Sequence, residues 1–169
     1  MEISIFPSLK VNRFLNKTIS NMRNFNIRFL SLIILFFSLK ISAQNSYINQ
    51  YKPLATELSK EFGIPSAIIL SIAYVETGGG NSKHAQTLNN HFGMVGKNTV
   101  NSSKFKSFES SKESFRAFCE MISRKKYYQK LKGNLNYSDW ISAIASAGYA
   151  TKPAEWKQKI NFVIKKFGL

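Results

Sequence analysis

The sequence predicts a mainly helical domain with one small β-containing flap, and three observations predict it. Apolar residues recur at three- and four-residue spacing through most of the chain beyond residue 46. The stretch 91–109 breaks that rhythm with Gly, Asn, Ser and Thr, and glycines or prolines stand at the ends of most periodic runs. With 169 residues, 44% hydrophobic and 14% aromatic, the chain can fill one core but is short for two full domains.

Taken in order, Tyr51, Leu54, Leu58 and Phe62 mark an amphipathic helix over 47–62 that Gly63 ends. Pro65 opens a second helix over 66–76, apolar nearly all round from Ala67 to Val75, which a helix running through the core requires. Gly78, Gly79 and Gly80 stop it, and a short polar helix is expected within 81–90. The segment 91–109, with short apolar patches between turn residues, reads as a small hairpin or irregular flap. Ser110 with Glu113 three residues on predicts a capping box for a helix whose inward stripe is Phe115, Phe118, Cys119 and Ile122. After a break near Gly133, a helix over 138–147 turns Trp140, Ile141 and Ile144 inward. Pro153 starts the last helix, with the stripe Trp156, Ile160, Val163, Ile164 and Phe167, and with Lys165 and Lys166 where the helix dipole favours cations. There are no internal repeats and no long linker.

The N-terminal 43 residues have a different composition. Arg23 and Arg28 precede an apolar run over 29–37 broken only by Ser31, and the small residues of ISAQ at 41–44 offer a cleavage point after Ala43. Residues 1–43 are therefore expected to be a secretory signal peptide, with an uncleaved anchor as the alternative, and 44–169 the folded domain. Met22 directly precedes Arg23, which marks 1–21 as a candidate over-extended translation start. Export implies an oxidising compartment, yet Cys119 is the only cysteine and has no partner for an internal disulfide. Its place on a helix stripe makes it a small buried apolar residue rather than a nucleophile. From residue 44 onward eighteen Lys and Arg stand against eight Asp and Glu, a net charge of +10. No zinc-finger, homeodomain or aromatic RNA-binding motif accompanies that charge, so specific nucleic-acid binding is not expected, and an anionic cell envelope is the better partner. The protein is expected to act as a monomer. No metal-ligand cluster, phosphate loop or cofactor motif is present, so neither metal nor cofactor is expected.

Among the eight carboxylates Glu76 stands apart, because it ends an apolar helix and three glycines follow it. A carboxyl group there is partly desolvated, which raises its pKa and keeps it protonated as a general acid must be. Gly78 and Gly80 would let a bulky polymer come close. A buried Glu bonded to backbone amides of the next helix is an equally good reading of these features alone.

The string GIPSAIILSIAYVETGGGNSKHAQTLNNHFGM at 63–94 resembles the glucosaminidase domain of glycoside hydrolase family 73, with its apolar helix, its E-S/T-G-x-G-x-S turn and its N-N-x-F-G segment. KFKSFESSKESFRAF at 104–118 and AGYATKPAEWKQKI at 147–160 resemble two further segments of that family, so the likeness runs over 48–167. The resemblance implies a lysozyme-like α+β fold, a helical domain with a small β-hairpin lobe flanking the cleft. It also implies hydrolysis of the β-1,4 bond after N-acetylglucosamine in peptidoglycan glycan strands. Residue by residue, Glu76 falls on the family's catalytic acid and Tyr149 on its active-site tyrosine, while Asn90, Phe92 and Gly93 fall on the segment that shapes the cleft floor. His91 is either a hydrogen-bonding neighbour of the substrate or a structural histidine. Many members carry a second carboxylate on the β lobe, but 93–108 holds no Asp or Glu. Three readings of this departure stand: Glu109 reaches in, the substrate's own N-acetyl group does the work, or the protein only binds. Substrate assistance with Glu76 as sole acid is favoured, with Glu109 in reserve. A lytic transglycosylase or muramidase on the same scaffold is the enzymatic alternative.

Overall fold

The first described helix, α1 (46–62), buries Tyr47, Ile48, Ala55 and Leu58 and leaves the opposite face to solvent. The computed structural model describes residues 46–169, so the signal peptide expected over 1–43 lies outside the described residues. Gly63 closes α1 at φ +66°, its N–H donating to the Ser59 carbonyl at 2.8 Å. A Cβ here would stand 2.8 Å from Lys132 Cγ and 3.0 Å from the Gly133 nitrogen, so only glycine lets these two turns meet.

Helix α2 (Ser66–Thr77) is the axle of the domain. Ile68, Ile69 and Ile72 are wholly buried, as expected from an apolar helix with no polar face. Each such side chain contributes about 1.5–3 kcal/mol of burial. It packs against α4 (Ser111–Ser123), α6 (Tyr137–Ser146) and α7 (Pro153–Phe167), and α6 packs against α7. The short polar helix α3 (Lys83–Leu88) is capped by Ser82, whose side chain accepts from the Ala85 N–H at 3.2 Å.

Helix α4 starts as the capping-box signature requires, with Ser110 Oγ accepting from the Glu113 N–H at 3.2 Å. The return bond is displaced by one residue, because the Glu113 carboxylate accepts from the Glu109 N–H at 3.0 Å. Phe115, Phe118, Cys119 and Ile122 form its buried stripe, and burial pushes the Cys119 thiol up to about 12. That makes it an inert core residue. A four-residue helix, α5 (Tyr128–Leu131), has no counterpart in the sequence reading. It is held by the Tyr128 hydroxyl donating to the Phe62 carbonyl at 2.6 Å. Helices α6 and α7 begin within one residue of expectation, α7 with Pro153 in its first turn.

The expected β-hairpin lobe is absent among the described residues. Between α3 and α4 the chain makes a single antiparallel bridge, Val95 to Phe105, flanked by Gly96 N–H to Lys104 O at 3.1 Å and Lys106 N–H to Met94 O at 2.8 Å. Asn98 explains why pairing goes no further. Its amide donates to Ser103 O and Phe105 O while its carbonyl oxygen accepts from the N–H groups of Val100 and Asn101. Side-chain bonds thus satisfy the backbone groups that a ladder would have used.

Candidate active site

Helix α2 delivers Glu76 in its last turn, and α7 brings Trp156 to meet it from its first. The indole Nε1–H donates to Glu76 Oε1 at 3.2 Å. Burial raises the pKa of Glu76 above the ordinary carboxylate value, opposed by the Trp156 hydrogen bond and by the positive charge of Lys159 one turn further along α7. Burial is the largest of these effects, so the carboxyl group holds its proton to higher pH than a solvated glutamate. It opens on a cleft of about 330 Å³ whose walls include Gly93 and Met94 from the α3–α4 segment, Met121 from the last turn of α4 and Lys125 just beyond it, and Tyr149 from the α6–α7 turn. Among the described residues no second carboxylate lines this cleft.

Gly93 has φ +62°, and a Cβ built on it would lie 4.0 Å from Glu76 Oε2. Both facts favour glycine there, the first for the backbone and the second for access to the carboxyl group. The expected role of the triple glycine is different in the fold. Gly78 is the exposed left-handed cap of α2, Gly79 sits under the Tyr74 ring, and a Cβ on Gly80 would be 2.7 Å from the Tyr47 ring. Gly78 and Gly80 do not line the cleft, because side chains on a helix lean toward its N-terminus and residues past the C-terminus therefore lie behind Glu76.

Tyr149 does stand beside Glu76. Its ring packs on Trp156 at 5.4 Å and edge-on to Phe118 at 6.2 Å, while its hydroxyl is buried with no hydrogen-bond partner among the described residues. Burial first, and the Glu76 charge second, push that hydroxyl well above the usual tyrosine range. Phe92 lines the cleft and stacks on Phe118 with centroids 4.1 Å apart. Asn90 is a strut behind the wall: fully buried, it donates to Met94 O and Lys106 O, both at 2.8 Å, and accepts from the Met94 N–H at 3.0 Å. His91 is also off the cleft, 3% exposed, with Nδ1 2.9 Å from the Tyr47 hydroxyl and Nε2 3.0 Å from Ser111 Oγ. Burial lowers its pKa to about 4, so it is neutral and ties α1 to α4. Glu109 is exposed at the start of α4 and is not among the residues that line the cleft.

A family model described as glucosaminidase, mannosyl-glycoprotein endo-β-N-acetylglucosaminidase, matches residues 52–169. The chain belongs to the glucosaminidase family. It is thus placed among glycoside hydrolases. A curated relative, the exo-glucosaminidase LytG of Bacillus subtilis, is 25% identical over 152 residues, covering 77% of this chain and 54% of that protein. The chain therefore spans about half the length of this relative. Among solved structures, the catalytic domain of the autolysin Auto from Listeria monocytogenes matches with a TM-score of 0.66 at 20% identity, over 75% of this chain and 85% of that one. The glycoside hydrolase domain of FlgJ from Salmonella typhimurium matches with a TM-score of 0.60 at 20% identity, over 74% and 88%. These structures share the fold.

Within this glucosaminidase fold, residues that sequence periodicity assigns to the core or leaves unmarked stand at Glu76 or along its cleft. Its spacing places Trp156 in the core stripe of α7, and it is buried there, but its N–H is the direct partner of Glu76. The available signal was chemical: a tryptophan in the first turn of a helix carries a donor that must find an acceptor. Met94, Met121, Lys125 and Tyr127 come together only through the fold, and no spacing in the sequence announces them.

Proposed function

We propose that the protein is an exported peptidoglycan hydrolase that cleaves the β-1,4 bond after N-acetylglucosamine, with Glu76 donating the proton to the departing sugar oxygen. The observation that carries this reading is the Glu76 carboxyl group, partly buried, of raised proton affinity and open to a cleft through Gly93. Protonation of the glycosidic oxygen by such a group lowers the barrier to leaving, and the same residue, once ionised, activates the incoming water. With no other carboxylate lining the cleft among the described residues, the carbonyl oxygen of the substrate's own N-acetyl group attacks the anomeric carbon as the leaving group departs. The Tyr149 hydroxyl, buried and unpartnered beside Glu76, is suited to hydrogen-bond that acetamido group. A peptidoglycan substrate is supported by the autolysin named above and by a peptidoglycan hydrolase from Sphingomonas sp. A1 of the same fold, with a TM-score of 0.59 at 20% identity. The excess of basic residues suits an anionic envelope.

The single-carboxylate cleft also accommodates a lytic transglycosylase or muramidase. Digestion of purified sacculi followed by mass spectrometry of the fragments separates the readings. Reducing N-acetylglucosamine ends are expected, anhydro-muramic ends would mean the transglycosylase, reducing muramic ends the muramidase, and pelleting without release a binding protein.

A further inference from the structure

Met94, Met121 and Lys125 line the cleft at Glu76 and also an adjoining trough of about 380 Å³, so the two form one continuous depression. Lys106 and Arg124 join Lys125 along the trough. The three cations come from two elements. Arg124 and Lys125 follow the end of α4, where the helix dipole already favours positive charge. Lys106 belongs to the α3–α4 segment, where no dipole accounts for it, and its backbone is pinned on both sides: its N–H donates to Met94 O and its carbonyl accepts from Asn90, both at 2.8 Å. One carboxylate shares the trough, Glu120, which approaches Arg124 only at 4.0 Å while the Arg124 side chain remains 79% exposed. Neither Lys106 nor Lys125 has an ion-pair partner in the described structure. The trough is therefore a net positive surface with a soft apolar floor of two methionines, opening directly into the cleft.

We propose that Lys106, Arg124 and Lys125 form a cationic, anion-binding subsite that holds carboxylates of the acidic peptide borne by the sugar next to the scissile bond. This deepens the peptidoglycan reading and rests on it. A bare neutral glycan has nothing for three cations to meet, whereas a peptide-substituted strand lying against Glu76 carries carboxylates and short aliphatic side chains that match a cationic rim over methionines. The subsite would select peptide-bearing strands and would act on binding rather than on the chemical step.

The test uses soluble peptidoglycan fragments in two forms, native and with the peptide carboxylates converted to neutral amides, and compares wild type with the K106Q/R124Q/K125Q triple variant. Wild type is expected to show a KM about tenfold higher on amidated than on native fragments, with kcat little changed. The triple variant is expected to show the raised KM on both, and added salt should erase the wild-type preference. Equal KM values for wild type on the two substrates, or a triple variant that keeps the wild-type discrimination, would overturn the subsite. If the triple variant proved unstable, Lys125→Gln alone must show a partial loss of discrimination, and its absence overturns the proposal equally. Failure of wild type to release sugar ends from either substrate would instead count against the peptidoglycan reading itself.

Discussion

Replacing Asn90 by alanine separates a strut from a substrate contact. The Asn90 side chain is completely buried and ties together Met94 and Lys106, the two residues that flank the Val95–Phe105 bridge. Alanine leaves three groups, the Phe92 and Met94 N–H groups and the Lys106 carbonyl, without the partner Asn90 supplies, and leaves the Met94 carbonyl only its bond from the Lys106 N–H. Buried groups stripped of a partner cost about 1–3 kcal/mol each. This segment lies near the surface and can take up water, so the lower end applies and the total is about 3 kcal/mol. For a folded unit of about 125 residues that corresponds to a fall in Tm of roughly 10 °C. Thermal unfolding followed by circular dichroism measures it, alongside kcat and KM on peptidoglycan fragments. Loosening the wall that carries Gly93 and Met94 should lower kcat as well, in step with the stability loss. A Tm within about 2 °C of wild type together with a large rise in KM would refute the strut and make Asn90 a substrate ligand.

Trp156→Phe removes the donor that favours ionised Glu76. The acid form then persists to higher pH, so the alkaline limb of the pH–rate profile should move upward, and an unmoved or lowered limb would contradict the proton-donor role. Tyr149→Phe deletes a buried hydroxyl that has no partner, so stability should hold or rise while kcat falls about tenfold or more, and unchanged activity would reduce Tyr149 to packing. His91 has a folded pKa lowered to about 4 from an ordinary 6.5. The unfolded chain therefore takes up its proton first, and stability is retained above about pH 6.5 and lost as pH falls from there toward 4. His91→Gln should flatten that acid limb in a series of Tm measurements, and an identical limb would show that another group causes it.

Much of the helical scaffold could be read directly because its rules are local. Apolar spacing marks α1, α2, α4, α6 and α7, and Gly63, Ser110 and Pro153 stand at their ends for stereochemical reasons that need no tertiary contact. The flap was harder, since Asn98 competes for the same backbone groups that strand pairing would use, and composition alone does not reveal the winner. Helix α5 is four residues long and depends on the Tyr128 bond to Phe62, far away in the chain. In the site, Glu76 was legible as a carboxylate at the end of an apolar helix. Gly78 and Gly80 fall outside the lining of the cleft because the direction of a helical side chain, not its sequence neighbour, decides what stands before it. Periodicity showed that Trp156 is buried but not which acceptor its N–H would meet.

The most direct test of the account is the rate at which Glu76→Gln releases reducing ends from purified sacculi. Glutamine keeps the size of the side chain and can still face the Trp156 indole, but it cannot give up a proton to the glycosidic oxygen. The account predicts a protein of unaltered or higher Tm that is slower by about a hundredfold or more. A well-folded Glu76→Gln protein that lyses sacculi at the wild-type rate would contradict it.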